Sequence, residues 1–155
     1  MNQKAIYLSI IFTLALCAAP THASNNDQSN KKPNVVLIFA DDMGYGDLSC
    51  YGHPVIKTPH LDNMADEGVR FTSFYAAASV CTPSRAALLT GRYPIRNIPT
   101  NCGPPDLEKG LPVSEITIAN LLKDEGYATM AIGKWHVGHG EKFLPTKRGF
   151  DRFYV

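Results

Sequence analysis

The sequence lacks a surplus of either charge: 15 basic and 14 acidic side chains leave a formal net charge of +1. That balance excludes an electrostatic nucleic-acid binder, which needs excess cations to neutralise phosphates. There is no internal repeat, which excludes solenoids and propellers, and no G-x-x-x-x-G-K stretch, which excludes a P-loop. No apolar run reaches the ~20 residues that a membrane-spanning helix requires. Cysteine is scarce, with four residues, and tryptophan occurs once. What is present suits a compact, loop-rich globular domain: 45% hydrophobic residues, 12 glycines and 11 prolines.

Residues 1–23 read as a secretory signal peptide. Lys4 gives the positive start, residues 5–19 the apolar run, and Thr21-His22-Ala23 a small-residue cleavage site. A lipid-modified Cys17 fits less well, because Leu16 is large where a small residue is expected. Export predicts a secreted or periplasmic protein that meets the membrane only during export. Residues 24–33 are polar and predict a disordered leader, so the folded part begins at residue 34. Cleavage leaves Cys50, Cys81 and Cys102, an odd number, so in an oxidising compartment one thiol is free, modified or paired with another molecule.

The stretch Cys81-Thr82-Pro83-Ser84-Arg85-Ala86-Ala87-Leu88-Leu89-Thr90-Gly91-Arg92 predicts a helix, with Thr82 as cap, Pro83 in the first position and Gly91 as the stop. Cys81 then lies at the mouth of that helix. Unpaired N–H groups and the positive end of the macrodipole favour an anion there, and Arg85 adds a positive charge one turn along.

Residues 35–40 form a continuous apolar, β-branched run, as expected of a strand buried in a parallel sheet. It ends at Asp41-Asp42, where open α/β sheets place their ligands; two adjacent carboxylates stay ionised most easily with a hard cation between them. Thr58-Pro59 predicts the start of a helix that stops at Gly68, residues 69–75 a second strand, residues 117–125 a helix, and residues 127–132 a third strand. His53 reads as a turn residue and His60 as solvent-facing, while His139 receives no role. Residues 93–112 read as a rim loop over the site. Lys134 and His136, two apart at the end of the third strand, would point the same way in extended chain and could reach one bound group.

Three blocks resemble the sulfatase family: Cys81 to Arg92, matching C-x-P-S-R-x-x-L-L-T-G-R; the segment Asn34 to Leu48 with its Asp41-Asp42 pair; and Gly126 to Gly138 with Lys134 and His136. The resemblance implies an α/β fold, a predominantly parallel sheet flanked by helices, alkaline phosphatase-like and incomplete in this chain. Residues 34–155 would be the N-terminal part of the catalytic domain. It also implies a formylglycine made from Cys81, whose hydrated aldehyde is the nucleophile, installed by a formylglycine-generating or equivalent maturation enzyme. The metal ligands would be Asp41, Asp42 and the modified Cys81, holding Ca²⁺ or alternatively Mg²⁺. Lys134 would bind substrate sulfate, Arg85 would stabilise developing charge, and His136 would hold the formylglycine. The implied activity is hydrolysis of a sulfate ester. Two other readings remain at this stage: a phosphonate or phosphate-ester hydrolase of the same superfamily, and a non-catalytic secreted binding module. The second metal-ligand pair and a further His and Lys of the family have no counterpart in the sequence, which predicts weak metal affinity and low stability for these residues alone.

Overall fold

The structure, a computed structural model, describes residues 32–96 and 106–155. The signal peptide, most of the leader, part of the rim loop and Cys102 lie outside the described residues. The chain divides into two units, Met1–Phe39 and Ala40–Val155.

In the first unit, residues 32–39 carry no regular secondary structure, and Val36 and Ile38 are exposed. The strand expected over 35–40 is therefore absent. β-branched residues suit a pleated surface but do not create one; a strand exists only with a ladder partner. Among the described residues the two strands pair only with each other.

In the second unit, helix α1 spans Pro59–Glu67, α2 Cys81–Thr90 and α3 Ile118–Asp124; strand β1 spans Met130–Ile132 and β2 Arg152–Tyr154. The start and stop signals act largely as expected. Thr58 precedes α1 with Pro59 in its first turn, Gly91 closes α2 at a positive φ of 67°, and Thr117 caps α3 in a reciprocal box with Asn120. The strands β1 and β2 run parallel, with Met130 opposite Arg152 and Ile132 opposite Tyr154. Helices beside a parallel pair give the α/β arrangement expected, with two strands among the described residues.

The second expected strand, over 69–75, is also irregular. Its backbone groups are taken by side chains instead of a ladder: the Tyr51 hydroxyl donates to the Phe71 carbonyl at 2.7 Å, and the Phe74 N–H donates to the Tyr45 hydroxyl at 2.9 Å. The Tyr45 and Tyr51 rings meet edge to face, with centroids 5.0 Å apart. Asp62 fastens the start of α1 to the turn before it, accepting from the Cys50 N–H at 2.8 Å, the Thr58 hydroxyl at 2.9 Å and the Ser49 hydroxyl.

The core beneath α2 is Ala86, Leu111 and Val137, with Leu89 and Trp135 packed against it. Leu111 and Val137 are joined along the backbone, Leu111 N–H donating to Val137 O at 2.7 Å, beside an antiparallel bridge between Gly110 and Gly138. Phe143 closes over this crossing. A Cβ on Gly138, where φ is 133°, would sit 2.4 Å from that of Phe143, so only glycine fits. A second anchor is polar: buried Arg148 donates to the carbonyls of Pro112, Val113 and Glu115, all within 2.9 Å, and its own carbonyl accepts from the Thr117 hydroxyl at 2.7 Å. Arg92 grips both carboxylate oxygens of buried Glu115, tying the end of α2 to the same segment.

Candidate active site

Helix α2 begins at Cys81, two residues earlier than a Thr82 cap would allow. Val80 is the cap residue, in extended conformation and without a side-chain cap bond, and the first helical hydrogen bond runs from Ser84 N–H to Val80 O at 3.3 Å. Thr82 cannot cap because its hydroxyl is turned to the His136 carbonyl, at 3.0 Å. Pro83 occupies the third helical position, where its missing N–H still costs no intrahelical bond.

Four of the expected site residues converge at this helix mouth. Lys134 Nζ lies 2.7 Å from Asp41 Oδ2 and 3.5 Å from Cys81 Sγ. A guanidinium nitrogen of Arg85 lies 3.2 Å from Asp41 Oδ1, and another donates to the Lys134 carbonyl. Arg85 is largely sheltered, with 13% of its side chain exposed, whereas Lys134 and Asp41 remain about two-fifths open at 41% and 39%. A ligand can therefore reach the ammonium. The Lys134 and Arg85 bonds hold the Asp41 carboxyl below the usual range, and Asp41 in turn pushes Lys134 above its usual value. Cys50 and Cys81 both carry free thiols.

His136 departs from the extended geometry expected of it, and Asp42 shares its backbone conformation. Both backbones are left-handed, with φ of 56°. Asp42, with its short polar side chain, tolerates the conformation. For His136 it breaks the extended geometry that would have aligned its side chain with that of Lys134. His136 instead presents its carbonyl to Thr82, and its ring lies 6.4 Å from that of His139. Its Nδ1 is buried without a hydrogen-bond partner among the described residues. Burial, followed by the charges of Lys134, His139 and Arg85, lowers its pKa below the ordinary imidazole value.

Among the described residues no three His, Cys, Asp or Glu side chains converge closely enough to hold a metal ion. Both Asp41 oxygens already face cations. Asp41 and Asp42 nevertheless bring the oxygen donors that hard cations take, so these residues fit a divalent ion as a partial ligand set. Sequence reasoning overlooked Thr82 as a link and His139 as a neighbour of His136. For Thr82 a signal was available: positions 82 and 85 stand three apart and share one face of the helix.

A family model described as Sulfatase matches residues 33–155. Arylsulfatase A of Homo sapiens is 55% identical over 126 residues, covering 79% of this chain and 25% of the relative. N-acetylgalactosamine-6-sulfatase of Rattus norvegicus is 51% identical over 162 residues, covering 99% and 29%. A solved sulfatase from Pseudoalteromonas sp. superposes with a TM-score of 0.71 at 36% identity, covering 99% of this chain and 29% of that one. The chain thus spans between a quarter and three-tenths of the length of these relatives.

Proposed function

The chain belongs to the sulfatase family, and on that premise we propose that its protein hydrolyses sulfate esters at the mouth of α2. The observation that carries the proposal is the position of Lys134, one ammonium standing between the signature thiol at 3.5 Å and the Asp41 carboxylate at 2.7 Å. In the mature protein the Cys81 sulfur stands in for the oxygen of a formylglycine, which supplies a hydroxyl nucleophile where the thiol now is. Asp41 and Asp42 would hold part of the shell of a divalent cation, Ca²⁺ or Mg²⁺, which when bound would supply Lewis-acid polarisation of that centre.

This chain's own residues do the rest. A tetrahedral oxyanion beside position 81 meets the Lys134 ammonium, the Arg85 guanidinium and the positive end of the α2 dipole. Lys134 exchanges its Asp41 partner for a sulfate oxygen, while Arg85, sheltered and held by the Lys134 carbonyl, stays fixed. His136, on the loop that Thr82 holds to α2, would hold or pass a proton at a ring nitrogen. The cleavable segment over residues 1–23 supports a secreted or periplasmic site of action, and the signature around Cys81 supports maturation by a formylglycine-generating or equivalent enzyme.

The test pairs mass spectrometry with turnover. Protein made with the maturation enzyme should lose, at the Cys81 peptide, the mass expected for thiol-to-aldehyde conversion, and should cleave an aryl sulfate in preference to an aryl phosphate diester. An unmodified cysteine under those conditions, or preferential cleavage of the phosphate diester, overturns the proposal.

A further inference from the structure

Thr82 lies in the signature at a position that the chemistry above does not use, yet it is buried, with 5% of its surface exposed. Its hydroxyl donates to the His136 carbonyl across 54 positions of sequence, at 3.0 Å. One turn along α2, Arg85 donates to the Lys134 carbonyl. The two side chains share one helix face and hold alternate carbonyls of the loop over residues 134–136, on either side of Trp135. The loop is left-handed at His136, a conformation that disfavours a side chain of that size and needs support from its surroundings. Strand β1 ends at Ile132, and the backbone pairing resumes only at Val137 and Gly138, so among the described residues no ladder runs through residues 134–136.

We propose that Thr82 is a positioning residue, whose hydroxyl clasps the His136 carbonyl and thereby holds the loop so that the Lys134 ammonium stands over position 81. Arg85 makes the companion clasp but also faces the anion, so its loss removes two functions together. Thr82 separates them, because its hydroxyl is engaged by the loop backbone at the His136 carbonyl. The carbonyl of a left-handed residue points away from the run of its neighbours, and a donor fixed to α2 meets it there. The same helix that carries position 81 therefore sets the place of the ammonium.

The test compares Thr82→Val, which keeps the branched shape and removes the donor, with Thr82→Ser, which keeps the donor. The turnover arm rests on the sulfatase reading. With conversion of Cys81 counted by mass spectrometry and rates normalised to converted protein, Thr82→Val should lower kcat for an aryl sulfate about tenfold or more, since a displacement near 1 Å can cost up to about a hundredfold. Thr82→Ser should retain most of the rate. A second arm does not need that reading. In unconverted protein, the rate of Cys81 alkylation by iodoacetamide should fall several-fold in Thr82→Val and be restored in Thr82→Ser, because the neighbouring ammonium assists thiolate attack. Equal rates in wild type and Thr82→Val in the alkylation arm, or equal losses in Val and Ser, overturn the positioning role. A wild-type protein that fails to cleave aryl sulfate, but shows the alkylation pattern, sinks the reaction assignment and leaves the clasp standing.

Discussion

Asp41 and Lys134 stand 93 positions apart in sequence and meet at 2.7 Å, with Arg85 on the other carboxylate oxygen at 3.2 Å. The contact joins the segment after the first apolar run to the loop after β1, at the mouth of α2. A carboxylate between two cations balances their charge and lowers their mutual repulsion.

Lys134→Met should lower aryl sulfate turnover by about a hundredfold or more, the scale of removing one fixed donor to developing negative charge. Steady-state kinetics on fully converted protein would show it. A loss confined to KM would instead mean that Lys134 binds ground and transition states alike.

The His136 imidazole should titrate below its ordinary value of 6.5, for burial and adjacent cations both disfavour its charge. Below that pH the unfolded chain binds the proton more readily than the folded one. This contribution is therefore absent as a penalty above 6.5 and erodes stability as pH falls from 6.5 toward the folded pKa. NMR titration of the ring measures the midpoint, and His136→Gln should flatten the stability profile in that window.

Asp151 is held down to about 2, first by the Lys123 ammonium at 2.6 Å and then by the Thr129 N–H at 2.9 Å. The clamp's stabilisation should be complete above the unfolded value near 3.8 and disappear as pH falls through about 2. Melting curves of wild type and Asp151→Asn should differ most near neutrality and converge in strong acid.

Arg148→Met should destabilise the protein by about 3 kcal/mol, because three carbonyls lose their donor at a buried site and each unsatisfied group costs roughly 1–3 kcal/mol before relaxation. Denaturant unfolding measures it. Arg148→Lys should recover only part, since an ammonium lacks the planar fork that reaches all three.

The helices were legible because their ends are set by local chemistry. Pro59, Gly91 and Thr117 act through the backbone of their own turns, so sequence neighbours suffice to find them. Strands depend on a partner, and that is where the reading fails. Residues 35–40 and 69–75 have the composition of strands without a ladder, whereas the short Arg152–Tyr154 becomes one because Met130–Ile132 lies beside it. In the site, Asp41, Cys81, Arg85 and Lys134 came from the motifs, and their convergence is geometry that no spacing encodes. The alignment of Lys134 with His136 failed for a single reason: one backbone angle of 56° turns the histidine out of the extended path.

Trp135, the chain's sole tryptophan, sits between Lys134 and His136, its indole N–H donating to Phe143 O at 2.9 Å and its ring edge-on to Phe150. Its emission is an intrinsic optical gauge of the site. An inorganic oxyanion that draws the lysine off Asp41 pulls on the residue next to this indole, so titrating sulfate while watching fluorescence should read ligand affinity without any turnover, label or matured nucleophile.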